Sequence, residues 1–488
     1  MQTYVNVIES TAYINGCWLE PGSRPVKAHY SPLNTELLVG SSTQLSTADV
    51  DLAVQSAKQA LPSWSALSGM QRANYLFKAA QMLEDHQEEL AQLLTAEMGK
   101  PLGEARGEVN RAVVLLRYYA GEGLRSIGDV LPATDGISHL YTTRVPLGVV
   151  GLITPWNFPV AIPVWKLAPA LIFGNTVVWK PAEHATIAAA RLMQLLEASG
   201  LPPGVVQLVS GSGAVVGQRI LDHLDVTGIS FTGSDAVGQQ VAQAATARHA
   251  KYQLEMGGKN ATIVLADADL ERAADTIISA AMRSAGQKCT ATSRVIIEKP
   301  VKAQLTSLLV ERAKRIQLSD PRDSGCYLGP VVSQRQYASI LDFIQSGVRE
   351  GAEIVAGGQA KMEGEFAKGY YIEPTILDRV DPQSTLAQEE IFGPVLVIHE
   401  ADDLDHAIQL ANGVRYGLAA AIFTHSHKHI HHFVNRIEAG LIKVNGETAG
   451  VEPQAPFGGM KLSSSYSREQ GRAAIEFFTQ VKTVVITP

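Results

Sequence analysis

Cysteine is scarce: Cys17, Cys289 and Cys326 are the only three in 488 residues. An odd number at such wide spacing builds no disulfide framework, and no pair has metal-ligand spacing, so a reducing, cytoplasmic setting is expected. Long blocks of like charge are also missing, with a net charge of −7. Nucleic acid and an anionic membrane surface are therefore not expected as main partners, since each calls for an extended basic face. Met1 to Ser10 has neither a basic start nor an apolar run, and no secretory signal is expected. The richest apolar stretch, Val149 to Trp179, is broken by Pro155, Asn157, Pro159, Pro163, Lys166 and Pro169. A lipid-spanning helix rarely carries such a set, so a buried functional segment is the better reading. With 46% apolar and 18% charged residues, the chain suffices for two or three globular domains.

What is present is an alternation of strands and helices. A hairpin around Asn15-Gly16 opens the chain, and helical spacing then runs from Thr47 toward Trp64, from Tyr75 to Met98 and from Glu104 to Glu122. Asp129 to Thr143 is polar and turn-rich and is expected to form an arm. Strands at Val145–Ile153, 175–180, Val205–Val209 and Thr227–Thr232 alternate with helical stretches, which predicts a parallel, doubly wound sheet with its ligand at the carboxyl ends. Gly211, Gly213 and Gly217 form G-x-G-x-x-x-G, one residue longer than the standard dinucleotide fingerprint, and are predicted to open a helix. Gly233-Ser234 offers a second helix start whose N–H groups suit a phosphate.

Four groups carry candidate chemistry. Cys289 lies among small residues with Lys288 beside it and Arg283 and Arg294 near in sequence, a setting that predicts a stabilised thiolate. An isolated cysteine is more often a small buried hydrophobe, so the rest of the chain must decide. Asn157 stands before a helix and can cap it or aim its amide at an oxyanion. Glu255 is either a satisfied surface group or a base near the thiol. Lys180 with Glu183 suits ribose hydroxyls, or forms an exposed ion pair. His425, His427, His429, His431 and His432 are read as a solvated helix, and no metal is expected.

Seven motifs lie in order along the chain: Pro155-Trp-Asn157-Phe-Pro, Trp179-Lys180-Pro-Ala-Glu183, Phe231-Thr-Gly233-Ser234, Leu254-Glu255-Met-Gly-Gly-Lys, Gly286-Gln-Lys-Cys289, Glu389-Glu390-Ile-Phe392-Gly-Pro and Pro456-Phe457-Gly-Gly. Together they resemble the aldehyde dehydrogenase superfamily over nearly the whole chain. The resemblance implies an α/β fold of two doubly wound parallel-sheet domains plus a β bridging and oligomerisation arm. Residues 1–126 and 147–256 would bind the dinucleotide, 257–455 would form the catalytic domain, and 127–146 with 456–488 would bridge subunits of a homodimer or homotetramer. Carried onto this sequence, Cys289 is the nucleophile, Asn157 an oxyanion donor and Glu255 the base. Ile153, Thr154, Pro155, Trp156, Lys180, Glu183, Gly213, Phe231, Gly233, Ser234, Val237, Glu390 and Phe392 would hold NAD, with NADP possible. Arg111, Phe158, Trp165, Lys288 and Phe457 would line the path of a small-molecule aldehyde.

The stretches Gly286–Arg294, Thr448–Phe457 and Ser467–Gly471 resemble the 2-oxoglutarate semialdehyde dehydrogenases in particular. Arg111 then suits a substrate carboxylate. Succinate semialdehyde is an alternative, as is glyceraldehyde-3-phosphate in the non-phosphorylating manner. The latter ranks lower because Val451 stands where a phosphate-binding arginine would be expected, and betaine aldehyde lower again. A coenzyme A acylating relative would lack Glu255, and a noncatalytic structural relative would lose the thiol or the cofactor residues.

Overall fold

The computed structural model describes residues 11–125 and 127–488. The reading of Met1 to Ser10 lies outside them. Val, Ile and Leu runs with no polar face make strands buried on both sides. Five strands of the first sheet are parallel, in the spatial order Lys251–Glu255, Val226–Thr232, Val149–Thr154, Thr176–Pro181 and Val206–Leu208. The strand that comes first in the chain is central, and its successors fill one side and then the other. The resulting switch point lies between Val149–Thr154 and Val226–Thr232, where open α/β sheets bind ligands. An antiparallel hairpin, Tyr13–Ile14 with Cys17–Trp18, extends the far edge. Its turn residues Asn15 (φ 53°) and Gly16 (φ 79°) are both left-handed, as a two-residue hairpin turn demands.

The strand period of two divides the core: Trp179 packs with Trp64, Tyr119 and Phe477 on one face, whereas Val178 packs with Val50, Val216 and Ile229 on the other. The Gly211–Gly217 segment differs from expectation. It opens as a single π-helical turn, Gly213–Gly217, capped by Ser212, and only then becomes the short α-helix Gln218–Asp222. The extra residue in the glycine spacing is taken up by that wider turn.

A second sheet is ordered Glu353–Ala356, Thr375–Asp378, Val395–Ala401, Thr292–Glu298, Asn260–Val264, Ala419–Phe423 and Leu441–Val444, parallel except for its first strand. Strand Lys251–Glu255 ends the first sheet, and Asn260 begins a strand of the second only five residues later. The carboxyl ends of one sheet therefore meet the amino ends of the other, and the cleft forms there.

The stretch read as an arm supplies Val130–Leu131 and His139–Pro146, and the latter pairs antiparallel with Thr479–Ile486 over eight residues. Thr479–Ile486 is an edge strand with Val481, Val485 and Ile486 exposed. Among the described residues no helix is long and apolar enough to cross a membrane.

Candidate active site

Cys289 sits in the turn that leads into strand Thr292–Glu298. Asn260 clamps this turn: its Nδ2 donates to the carbonyls of Cys289 (2.7 Å) and Ala291 (2.8 Å), while its Oδ1 accepts from the N–H of Ala419 (2.9 Å). Upstream, Ser284, Ala285 and Gly286 all have positive φ (56°, 51° and 66°), a strained run held by hydrogen bonds from Ser284 to Glu104. At Gly286 a Cβ would collide with the carbonyl of Gly393, so only glycine fits. Cys289 packs against the buried cluster Leu418, Ala419, Leu441 and Phe457, as does Val451.

This setting corrects the expected electropositive one. Arg294 is spent on the carbonyls of Lys259, Leu410 and Ala411, and the Arg283 guanidinium lies over the Tyr327 ring. Burial raises the Cys289 pKa, the Glu390 and Glu255 carboxylates raise it further, and the backbone N–H groups of Cys289 and Thr290 oppose the shift. Glu390 is itself pushed up to about 7, chiefly by burial. Above that pH its charge opposes the thiolate, and below it the opposition fades. Iodoacetamide alkylation of the Cys289 peptide, followed by mass spectrometry without cofactor, is therefore expected to keep accelerating beyond pH ~8.5, the ordinary thiol value. Glu390→Gln should move the curve to lower pH. A plateau already reached near neutrality, unchanged by that substitution, contradicts this electrostatic picture.

Asn157 is buried, and its Nδ2 donates to the Gln287 carbonyl (3.0 Å), two residues before Cys289. It does not cap the helix Ala161–Ile172. Glu108, from the helix Leu102–Glu122, does so by accepting the N–H groups of Val160 (2.8 Å) and Ala161 (3.1 Å). Lys100 pairs with Glu108 and donates to the Asn157 carbonyl (2.9 Å), so both ends of Asn157 are held. Relieved of capping, the amide keeps one hydrogen for another acceptor.

Glu255 ends its strand fully buried. One oxygen accepts from Ser464 Oγ (2.6 Å) and the other has no hydrogen-bond partner. Gly458 leaves the room: a Cβ there would lie 2.9 Å from the free oxygen. Burial lifts the Glu255 carboxyl well above its ordinary range, and Glu469 adds to the effect while Ser464, Lys166 and Arg468 oppose it. Nearby, buried Glu469 pairs with buried Lys166, whose Nζ also donates to Ser230 Oγ (2.8 Å).

At the switch point Ile153 and Thr154 end their strand, and the Thr154 hydroxyl accepts from Trp179 Nε1 (2.9 Å). Pro155 carries the chain to Trp156, which meets Phe392 edge-on (centroids 5.4 Å, 85°). Phe231 underlies Gly233, where a Cβ would strike its ring. Ser234 precedes the helix Asp235–Ala247 without a side-chain capping bond, in contrast to Ser46, Ser68, Asp269 and Ser333 at other helices. Val237 is exposed on its first turn. Glu390 accepts the Gly258 N–H (2.9 Å) and packs where any Cβ on Gly257 would fall. Lys180 is buried and donates to the Pro181 carbonyl (3.0 Å), and burial draws its pKa down to about 8. The alternative Lys180–Glu183 ion pair is not formed. Glu183 pairs instead with Lys27 of the strand Val26–Ser31 (2.6 Å).

On the opposite side Trp165 and Phe457 stack at 5.3 Å, and Phe457 exchanges two backbone hydrogen bonds with Glu469. The next residue, Gln470, accepts from half-buried Arg111 (2.9 Å). Phe158 lies under Lys100 (4.0 Å), and Lys288 has Glu104 and Glu447 as its nearest carboxylates. Sequence reading missed Glu108, Asn260, Ser464 and Glu469, and of these only Asn260 carried a local signal, as an amide directly after Gly257-Gly258-Lys259. His432 meets Asp405 and His431 meets Asn435 on the exposed helix His427–Arg436.

Comparison with known proteins agrees with this geometry. The chain is 48% identical to alpha-ketoglutaric semialdehyde dehydrogenase of Bacillus subtilis over 486 residues, covering 100% of this chain and 98% of the relative. It is 40% identical to alpha-ketoglutarate semialdehyde dehydrogenase of Haloferax volcanii, covering 97% and 98%. Among solved structures, PnpE from Pseudomonas sp. WBC-3 and PnpE in complex with nicotinamide adenine dinucleotide each match at TM-score 0.95 and 36% identity over 98% of both chains. The pattern of the Aldehyde dehydrogenase family matches residues 18–484, and the chain belongs to that family.

Proposed function

We propose that this enzyme oxidises an acidic semialdehyde, of the 2-oxoglutarate semialdehyde type, to the carboxylic acid, using a nicotinamide dinucleotide. The observation that carries the substrate class is Arg111. Its half-buried guanidinium is held by a neutral amide, Gln470, and makes no ion pair among the described residues. Burial lowers its pKa from the ordinary value, and the nearest carboxylate that counters this is Glu452. A carboxylate substrate would satisfy that cation. The names of the Bacillus and Haloferax relatives point the same way.

The crevice fits a dinucleotide on its own evidence: the uncapped helix start at Ser234, the buried and unpartnered Thr232 hydroxyl, and the buried Lys180 amine with donors to spare. Bound there, the dinucleotide would supply the hydride acceptor. Cys289 Sγ, its proton released to solvent water, attacks the carbonyl carbon, and the free Asn157 amide hydrogen and the Cys289 N–H hold the oxyanion, one such donor being worth ~3 kcal/mol. Once oxidised, the adduct is a thioester on Cys289. Glu255, through its unpartnered oxygen, takes a proton from water as that water attacks; the acyl C–S bond then breaks, the acid product is released and the sulfur regains a proton. Its raised pKa makes the ionised carboxylate a stronger base.

Val451 in the apolar nest of the thiol supplies no cation, which disfavours a phosphorylated substrate. A homodimer or homotetramer in the cytoplasm belongs to the same reading, supported by the open edge of Thr479–Ile486 and by the scarcity of cysteine. The test is a substrate panel on Arg111→Met. The loss of kcat/KM for 2-oxoglutarate and succinate semialdehydes is expected to be worth ~1 to 3 kcal/mol, borne mainly by KM, with betaine aldehyde and a simple alkanal spared. Equal losses across all four substrates reject the assignment of Arg111.

A further inference from the structure

The mouth of the crevice holds an imbalance of charge that the reaction does not use. Glu183 would normally repel a phosphate on the adenosine ribose, yet its Oε2 is 2.6 Å from Lys27 Nζ. Lys27 comes from the hairpin Val26–Ser31/Asn34–Thr43, more than 150 residues away in the chain. Gly40 lets this hairpin settle on the helix Thr186–Ala198, because a Cβ there would press 2.9 Å from Ile187 Cδ1. Lys180 faces the same carboxylate without bonding to it. A third cation, Arg335, lies within electrostatic reach of the neighbouring His184. His29 beside Lys27 adds no charge, since burial and then Lys27 draw its pKa down to about 4. Two ammonium groups thus act on one carboxylate.

The Lys27–Glu183 pair is also easily exchanged. The two side chains are 46% and 33% exposed, and surface pairs of this kind contribute little net stability. A phosphate dianion is a stronger acceptor for Lys27 than Glu183, which can turn to solvent when released.

We propose that Lys27 sets cofactor choice: with Lys180 it forms a seat for a 2′-phosphate, so the crevice takes the 2′-phosphorylated dinucleotide as well as the unphosphorylated one despite Glu183. The assignment rests on the dinucleotide reading above. The test is calorimetric titration with two fragments, adenosine 2′,5′-bisphosphate and adenosine 5′-monophosphate, on the wild type and Lys27→Met. The wild type is expected to bind the bisphosphate at least as tightly as the monophosphate, and Lys27→Met should shift the ratio of the two Kd values against the bisphosphate by about tenfold. An unchanged ratio in the variant, or a wild type that rejects the bisphosphate while binding the monophosphate, overturns the role of Lys27 alone. Failure of the wild type to bind either fragment overturns the dinucleotide reading with it.

Discussion

Cys289→Ser is expected to cut kcat/KM for aldehyde oxidation by roughly 10⁴-fold or more. Serine nearly preserves the shape of the side chain, so the apolar rest on Leu418 and Phe457 and the Asn260 clamp survive. What is lost is the nucleophile. A hydroxyl among the same buried carboxylates that raise the thiol's pKa has far less prospect of ionising. Dinucleotide binding, followed by quenching of tryptophan fluorescence, should persist, and the covalent acyl adduct seen by mass spectrometry after brief exposure to aldehyde should vanish. A loss smaller than tenfold, or an adduct that persists, would remove Cys289 from the chemistry.

Glu255→Gln should separate the two halves of the reaction. The amide keeps an oxygen for Ser464 and fits the space left by Gly458, so the first half-reaction proceeds and releases one equivalent of reduced nicotinamide per chain. Thioester hydrolysis then stalls, and steady-state turnover drops by about 10² to 10⁴. Absence of a burst, with both phases slowed alike, assigns Glu255 elsewhere. A second readout follows from burial. Because the folded-state pKa of this carboxyl lies above its unfolded value, its contribution to stability is fully present below the unfolded value and is lost as pH rises through the folded one. The variant lacks that loss, so its Tm advantage over the wild type should grow from mildly acidic to alkaline pH.

The parallel sheet around the switch point was legible because strands such as Val149–Thr154 are continuous apolar runs closed by Pro, Gly and Asn. The seven motifs also announced the family, since each combines rare residue types in a short span. The electrostatics of the site were not legible in the same way. Lys288 and Arg294 are close to Cys289 along the chain, but a turn and a strand point successive side chains in different directions, and Arg294 ends on the carbonyl of Lys259 and on those of Leu410 and Ala411 in the helix Leu404–Asn412. The carboxylates that do act on the thiol, Glu255 and Glu390, are 34 and 101 residues away. Whether Asn157 caps its helix was left open by the sequence for the same reason. The helix it precedes is capped by Glu108, which lies 52 residues earlier than Val160 and on another helix. Lys166 and Glu469, 303 residues apart, pair only because the chain's end folds back over the first sheet. Chain distance carries no record of such meetings.

The Asn260 clamp limits how the nucleophile can move. With its own carbonyl and that of Ala291 tied to one amide, and that amide tied to Ala419, the main chain at Cys289 is held, leaving rotation about Cα–Cβ as the principal freedom of the sulfur. Sulfur rotation of that kind occurs on the timescale of a rotamer jump, and in the proposed reaction the carbonyl being attacked, the adduct and the departing acid would all meet the two donors proposed above. The catalytic cycle can then run without any rearrangement of the loop that carries it.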